Sequence, residues 1–274
     1  MHERERWQVI KAMLRDSSLV RVADVCRATG ASEASVRRDF ARLAGSGVAM
    51  RVHGGLEASP TPTGGASDRP PLATSPFDFS RGLNVAAKRA IAKAAVALCE
   101  DGEAIIINGG TTTFEMAVFL RERHLKVLTN SYPLAEMLIH DSKCRVALPG
   151  GEVYREQKLI VSPFEEDAIQ HYSASRMFMS AIAIGPLGVI EGDPLIARAE
   201  TKLLKRADKL IVLADSSKFV SRGSLVVCPL SRIAILITDR AAPAAALEML
   251  RESGVQTLLV DAEPAVEPRE REVA

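Results

Sequence analysis

The stretch 20–39 constrains this chain more than any other feature. Gly30 ends a predicted helix, Val22–Thr29, because glycine reaches the positive φ of a helix C-terminus without steric cost. The hydroxyl of Ser32 then caps a second helix. Apolar residues recur on that helix at the spacing of one buried face, namely Val36, Phe40 and Leu43. Ser and Arg side chains occupy another face, so the pattern indicates a helix-turn-helix whose second helix enters the major groove of DNA.

The flanking segments extend this unit. An amphipathic helix is predicted over residues 3–14, with Trp7 in its apolar face. Residues 48–52 alternate like a short strand, and a wing at that point would lay Arg51 and His53 along the phosphate backbone. A metal-ligand role for His53 is disfavoured because no partner lies nearby in the sequence. The predicted DNA-contacting residues are Ser32, Glu33, Ser35, Arg37, Arg38, Arg42, Arg51 and His53.

Charge, cysteine usage and hydropathy narrow the class of protein. The net charge is only +1, yet the segment up to Ala58 holds ten basic and seven acidic residues. The four cysteines lie far apart and none stands at metal-ligand spacing, which predicts reduced structural thiols and no metal site. The N-terminus is polar and no apolar run approaches the length of a membrane span. We therefore expect a cytoplasmic protein without a membrane partner.

A change of composition divides the chain. Residues 59–80 are rich in Pro, Gly, Ser and Thr and cannot bury enough apolar surface to fold, so they are predicted to be a linker. After them, apolar strands alternate with helices, which indicates a mostly parallel sheet covered on both faces. The predicted domains are a DNA-binding domain over 1–58, the linker, an α/β domain over 81–261, and a charged, disordered tail over 262–274.

Small and polar residues follow several predicted strands, where open α/β sheets bind ligands. The run 108–113, Asn-Gly-Gly-Thr-Thr-Thr, has the glycines and hydroxyls of a phosphate cradle but lacks the lysine and spacing of a nucleotide P-loop. A plain glycine turn with threonine caps remains the alternative. The predicted effector-binding residues are Lys88, Asn108, Gly109, Gly110, Thr111, Thr112, Thr113, Thr129, Asn130, Ser131, Gly150, Gly151, Glu200, Asp215 and Lys218.

Two sets of motifs resemble the DeoR family of bacterial sugar-metabolism repressors. The first is Ala-Ser-Glu-Ala-Ser-Val-Arg-Arg-Asp at 31–39 with Arg-Val-His-Gly-Gly at 51–55, and it departs from the family at Ala31, Ser35 and Phe40. The second is the set of loops at 108–113, 129–131, 150–151 and 215–218, which resembles the family's sensor domain. The resemblance implies an α+β winged helix-turn-helix followed by a Rossmann-like α/β domain similar to ribose-5-phosphate isomerase.

The same resemblance implies a function. It predicts a repressor of a sugar or sugar-acid catabolic operon that binds double-stranded operator DNA and is relieved by a small phosphorylated sugar. Asn108 stands where the family has Asp, which favours a more anionic effector and looks like the ascorbate-utilisation repressor subgroup. One winged helix reads few base pairs, so a homodimer or homotetramer is expected.

Two other classes of function remain as alternatives. A sugar-phosphate isomerase needs a general base, and the amide of Asn108 cannot take a proton, which leaves Glu200 and Asp215 as candidates. A scaffold whose helix-turn-helix binds protein would not depend on Arg37 or Arg38. Neither an enzymatic activity nor a cofactor is expected.

Overall fold

The computed structural model describes residues 6–7, 9–10, 13–14, 19–45, 49–52, 55–58, 76–162, 164 and 167–262. The chain divides into two compact units, Met1–Pro70 and Pro71–Ala274. We call the first unit the head and the second the sensor unit, and each is described by itself. Of the helices that these residues form, none combines the length and the apolar character that a membrane crossing requires.

The head is a winged helix-turn-helix. Helical residues at 6–7, 9–10 and 13–14 precede α1 (Val22–Thr29) and α2 (Glu33–Gly45). The wing is an antiparallel sheet of order β1-β3-β2, formed by β1 (Leu19–Arg21), β2 (Ala49–Val52) and β3 (Gly55–Ala58). Sequence reasoning predicted the strand that became β2 but missed β1 and β3, because runs of three or four residues show little periodicity.

The core of the head confirms the predicted helix faces. Gly30 ends α1 at φ 66°, and the hydroxyl of Ser32 accepts a hydrogen bond from the N–H of Ser35 at 3.4 Å. The predicted stripe of α2 is fully buried and packs against the N-terminal helical residues, α1 and the wing. The buried apolar residues of this core are Ile10, Leu14, Val20, Val22, Val25, Val36, Phe40, Leu43 and Leu56.

The sensor unit is built on seven parallel strands. Their order across the sheet is β15-β14-β12-β9-β4-β5-β6. The strands are β4 (Ala104–Ile107), β5 (Lys126–Thr129), β6 (Arg145–Ala147), β9 (Ala174–Ser180), β12 (Ala207–Leu213), β14 (Ile233–Asp239) and β15 (Gln256–Val260). An antiparallel pair, β7 (Glu152–Tyr154) with β8 (Leu159–Val161), and a small antiparallel sheet, β10 (Ala183–Gly185), β11 (Gly188–Glu191) and β13 (Leu225–Cys228), lie outside it.

Helices and 3-10 turns connect the strands, and buried apolar residues fill both sides of the large sheet. The helices are α3 (Phe77–Arg81), α4 (Val85–Ala97), α5 (Thr111–Phe114), α6 (Tyr132–Asp141), α7 (Pro194–Leu204) and α8 (Ala244–Glu252). The 3-10 turns are Glu115–Phe119, Ala168–His171, Ser216–Phe219 and Leu230–Arg232. All four cysteines are free thiols, as predicted.

Three predictions in this unit require correction. The apolar run 177–184 predicts one strand, but the structure has two strands in different sheets, β9 and β10, separated at Ala181 and Ile182. The pattern of residues 114–120 predicts a helix, but the helix begins earlier, at Thr111, and continues as a 3-10 turn. The predicted linker does not reach residue 80, because α3 is helical and Phe77 is buried in the sensor core. Most of the linker and of the predicted tail lies outside the described residues.

The topology defines a crevice. The chain builds β4, β5 and β6 outward in one direction and then returns to place β9 on the other side of β4. Such a reversal of strand order is where open α/β sheets bind ligands, beyond the carboxyl ends of the strands. The loops after β4, β5 and β12 open at this same edge, which we call the carboxyl edge.

Candidate functional site

The DNA-facing candidates of the head lie on or beside α2. Arg37, Arg38 and Arg42 are exposed, and so are Ser32 and Glu33. Arg37 donates to the Glu33 carboxylate at 3.2 Å, and the Nε of Arg38 donates to the carbonyl of Ala34 at 3.3 Å. The exposed cations therefore sit on a helix whose opposite face is the core. Arg51 lies in the wing strand β2, while its side chain and all of His53 lie outside the described residues.

A buried ion pair fixes the recognition helix from behind. Asp39 is 2% exposed and accepts a hydrogen bond from the Arg6 Nε at 2.8 Å. Its second oxygen accepts from Arg6 at 3.2 Å and from the indole N–H of Trp7 at 3.1 Å. These contacts join residues more than thirty positions apart, so no local spacing could have predicted them. Asp39 is thus a framework residue of the head.

In the sensor unit, Asn108 ties together the two strands that flank the crevice. Its Nδ2 donates to the carbonyl of Ser180 at 3.2 Å, and its Oδ1 accepts from the N–H of Ser180 at 2.9 Å. The same Nδ2 also donates to Glu200 at 2.8 Å, and Oδ1 accepts weakly from Thr113 at 3.4 Å. Both polar atoms of the Asn108 side chain are therefore engaged by the protein, and the amide serves structure.

Glu200 is buried behind this contact and lacks access to solvent, being 3% exposed. Burial raises the pKa of Glu200 well above 4.5, and the neighbouring Glu191 carboxyl raises it further, while the Asn108 hydrogen bond opposes the rise. Glu200 is thus a buried carboxyl group at the floor of the crevice, held by its hydrogen bond from the Asn108 amide.

The loop after β5 is held against the loop after β4. The Oδ1 of Asn130 accepts from the N–H of Gly109 at 2.9 Å. Thr129 accepts from the N–H of Ser131, and Ser131 caps α6 by accepting from Leu134. The Nδ2 of Asn130 is buried and has no hydrogen-bond partner among the described residues. An orphaned donor of this kind is costly, and it points to a ligand.

The loop after β12 presents the matching acceptor. The Oδ1 of Asp215 accepts from Asn84 at 2.9 Å and from the N–H of Ser217 at 3.1 Å. The Oδ2 of Asp215 is buried and, within the described part of the chain, unpartnered. Asp239, at the end of β14, accepts from the N–H of Ser216 at 2.7 Å and so holds the same loop. Sequence reasoning missed Asn84 and Asp239, since neither stands in a recognisable motif.

A buried cation completes the set. Lys88 on α4 is 2% exposed, and its Nζ donates to the carbonyl of Ser80 at 2.5 Å. The pKa of Lys88 is lowered from 10.5 to about 8. Burial is the main cause and the cation of Lys218 contributes, while Asp215 and Glu115 oppose the shift. Lys88 therefore lies near Asp215 and Lys218, the charged side chains of the loop after β12.

The remaining predicted residues contribute differently. Thr112 and Thr113 are buried, and the Thr113 hydroxyl donates to the carbonyls of Asn108 and Gly110. Gly150 and Gly151 are exposed beside the β7–β8 pair, and a Cβ on Gly151 would lie 2.3 Å from the carbonyl oxygen of Val161. The two glycines therefore shape the loop that follows β6. Among the described residues, no cluster of His, Cys, Asp or Glu could hold a metal ion.

Comparisons with known families match both units of the chain. The DeoR-like helix-turn-helix domain matches residues 6–61, and the DeoR C terminal sensor domain matches residues 83–240. The "Putative aga operon transcriptional repressor" of Escherichia coli O157:H7 is 34% identical over 260 residues, 93% of each chain. The "HTH-type transcriptional regulator UlaR" of Salmonella newport (strain SL254) is 33% identical over 261 residues, 95% of this chain and 100% of the relative.

Two solved structures are similar at lower identity. Ribose 5-phosphate isomerase A from Methanocaldococcus jannaschii is 17% identical, with a TM-score of 0.35, over 48% of this chain and 53% of the isomerase. The eIF2B beta subunit from Chaetomium thermophilum is 14% identical, with a TM-score of 0.38, over 58% of this chain and 49% of that protein.

Proposed function

The chain belongs to the DeoR family of transcriptional regulators, and we propose that it represses a sugar or sugar-acid catabolic operon until a phosphorylated sugar binds the carboxyl edge. Relatives named as an aga operon repressor and as UlaR support this assignment. The effector acts by linkage: a ligand that binds the DNA-incompetent arrangement more tightly lowers the operator affinity by that difference.

The observation that carries the effector proposal is the pairing of two orphaned polar atoms with a buried cation. The Nδ2 of Asn130 is a donor without a partner among the described residues, and the Oδ2 of Asp215 is likewise an unpartnered acceptor. Lys88, which is 2% exposed, supplies a buried positive charge. A phosphorylated sugar satisfies all three, because its hydroxyls donate to a carboxylate and its phosphate accepts from an amide and an ammonium.

The effector contacts divide into two groups. In this proposal the ligand contacts four side chains, those of Lys88, Asn130, Asp215 and Lys218, and its phosphate faces the run 109–113. Asn108 and Glu200 support the loops from behind, since their side chains bond to each other. The amide of Asn108 therefore does not read the charge of the effector, which revises the reason given above for preferring a sugar acid.

The head contacts DNA through the exposed cations of α2. Arg37, Arg38 and Arg42 reach base edges or phosphates, and Arg51 and His53 follow the backbone from the wing. Because one head spans few base pairs, the active form is a homodimer or homotetramer. The assembly forms in the cytoplasm, where the operator lies.

Catalysis is not part of the proposed function. Glu200 is enclosed and bonded to Asn108, so it does not reach a substrate as a general base. Asp215 accepts from Asn84 and Ser217 through Oδ1, and in this proposal its Oδ2 accepts from a hydroxyl of the effector. An assay with ribose 5-phosphate as substrate tests this directly, and turnover that disappears in Asp215→Asn would contradict it.

A thermal-shift screen tests the effector class. Phosphorylated sugars and sugar acids, each paired with its unphosphorylated form, are added to the full chain, and the melting temperature is measured. We expect at least one phosphorylated compound to raise Tm and its unphosphorylated partner to have no effect, because the buried ammonium selects for the anion.

Variants on one helix provide the matched control. Lys88→Met should abolish the ligand-induced shift, whereas Lys93→Met, at an exposed position of α4, should preserve it. An equal loss in both variants, or a shift that persists in Lys88→Met, contradicts the assigned role of Lys88.

A further inference from the structure

Residues 77–84 form a segment that we call the strap, and it crosses the carboxyl edge immediately before α4. Its first residue, Phe77, is buried and packs edge-on against Phe114, with ring centroids 5.6 Å apart. The guanidinium of Arg81 stacks over the same ring at 4.4 Å from its centroid. Phe114 ends α5, the helix that follows the glycine run, so the strap is packed on the element that shapes the predicted phosphate cradle.

The strap also bonds to two of the charged groups of the site, Lys88 and Asp215. Lys88 donates from Nζ to the Ser80 carbonyl at 2.5 Å, and Asn84 donates from Nδ2 to the Oδ1 of Asp215 at 2.9 Å. A main-chain carbonyl and a side-chain amide of one short segment therefore engage the cation and the carboxylate proposed to meet the effector.

A third set of contacts joins the strap to the β7–β8 pair. The N–H of Phe77 donates to the carbonyl of Glu156 at 3.0 Å, and Lys158 pairs with Asp78 at 2.7 Å. The next strand of that pair reaches the β5 loop, because the N–H of Ile160 donates to the carbonyl of Asn130 at 2.8 Å. The strap thus contacts the Asp215 loop directly and is connected to the Asn130 loop through the β7–β8 pair.

We propose that the strap is an occupancy sensor, in which Asn84 and the Ser80 carbonyl position Asp215 and Lys88 in the effector-free state and are displaced when the anion binds. The inference rests on the proposed function, because it names the regulation of the same site. A phosphate oxygen competes with the Ser80 carbonyl for the ammonium, and the anionic oxygen attracts the ammonium more strongly than the neutral carbonyl does.

The backbone at Asn84 allows this role to be separated from a structural one. Asn84 has φ 53°, a left-handed conformation that asparagine and glycine adopt more readily than other residues. If asparagine were present only for that conformation, Asn84→Gly would be silent. If its amide holds the strap, Asn84→Gly keeps the backbone and removes the bond to Asp215, which Ser217 continues to hold.

Hydrogen exchange on the full chain provides the first readout, with inorganic phosphate and ribose 5-phosphate as probes. We expect the amides of residues 80–83 to exchange faster when a probe is bound, and the amides of residues 109–113 and 216–218 to exchange more slowly. A ligand that merely rigidified the unit would protect all three segments, and that result overturns the proposal.

Affinity provides the second readout. Asn84→Gly should bind the probes about fivefold more tightly than wild type, because the variant no longer has to break the strap contact before binding. Phe79→Ala, which alters the exposed aromatic of the same helix, is the control and should bind like wild type. Equal affinities in wild type and Asn84→Gly, or weaker binding by the variant, overturn the proposed role of the strap alone. If neither probe binds to wild type, the result overturns the proposed function together with the role of the strap.

Discussion

The recognition helix and the carboxyl edge are both predicted to bind phosphate groups, yet they are built in opposite ways. On α2 the cations of Arg37 and Arg38 are exposed, and the polar contact that matters for packing, Arg6 with Asp39, lies behind them. At the carboxyl edge the cation Lys88 is itself buried, and the loops after β5 and β12 each carry a side chain with an unpartnered atom.

The difference follows from the size of the two partners. DNA is a large polyanion that a convex protein surface meets from outside, so the cations of that surface stay hydrated until binding. A small effector must be enclosed to be distinguished from its analogues. The cation of its binding site is therefore desolvated, and the hydrogen-bonding atoms of the site have no partner until the ligand binds. The free-energy cost of desolvating charged and polar groups is therefore present in the sensor unit and largely absent from the DNA-facing surface of the head.

Removing the ion pair of the head tests that division most severely. Asp39→Ala removes the buried carboxylate that accepts from Arg6 and from the indole N–H of Trp7, and should lower the free energy of unfolding of the head by about 3 kcal/mol. Trp7 is the chain's only tryptophan, so its fluorescence follows the head during denaturation. Asp24→Ala, which breaks an exposed pair with Arg27, should cost less than about 1 kcal/mol. Equal losses would show that the buried pair is not a framework contact.

The glycine pair after β6 tests how tightly the sensor loops are packed. Gly151 has φ +145° and its Cβ would meet the backbone of Val161, whereas a Cβ on Gly150 would meet nothing within 4 Å. Gly151→Ala should lower stability by about 2 kcal/mol, and Gly150→Ala should change it by less than about 0.5 kcal/mol. Thermal denaturation of the two variants side by side decides the matter, and a similar Tm for both would contradict the close packing of this loop.

Burial of Lys88 should be visible in the pH dependence of stability. The pKa of this lysine is lowered to about 8 in the folded chain from 10.5, so the unfolded chain binds more protons between these values and wild-type stability rises with pH there. Lys88→Met should therefore be more stable than wild type at pH 7, by about 1–2 kcal/mol, and the advantage should shrink as the pH rises from 8 to 10.5. An advantage independent of pH would argue against a buried ammonium.

The arginines of the recognition helix should show the opposite behaviour. Arg37→Ala and Arg38→Ala remove exposed cations, so we expect little change in stability but about tenfold weaker binding to a DNA duplex obtained by in vitro selection. Each change should also reduce the slope of log affinity against log salt by about one. Arg251→Ala, an exposed cation of α8 in the sensor unit, is the control and should bind normally. Variants that bind like this control would support the protein-binding alternative for the helix-turn-helix.

Sequence reasoning predicted what depends on local pattern. Periodicity, and the strong conformational preferences of residues such as glycine and serine, predict four features: the helix Val22–Thr29, the cap at Ser32, the stripe Val36–Phe40–Leu43 and strand β4. The loops after the strands were predictable because parallel strands bring their carboxyl ends to one edge.

What the sequence did not reveal depends on contacts between distant residues. Three hydrogen-bonded pairs each span more than thirty positions in the sequence: Arg6 with Asp39, Asn84 with Asp215, and Asn108 with Glu200. The short strands β1, β3, β7, β8, β11 and β13 were missed because tertiary pairing, and not their own periodicity, makes them strands. The role of Asn108 changed most, from a ligand contact to a cross-link between two strands.

Competition between effector and DNA tests the central claim most directly. A labelled duplex is titrated with the full chain in the presence and absence of the phosphorylated sugar that raises Tm most, and anisotropy gives the DNA affinity at fixed salt concentration. The account predicts at least about tenfold weaker DNA binding with the phosphorylated sugar and no change with its unphosphorylated form. A sugar phosphate that binds the protein and leaves the DNA affinity unchanged would contradict it.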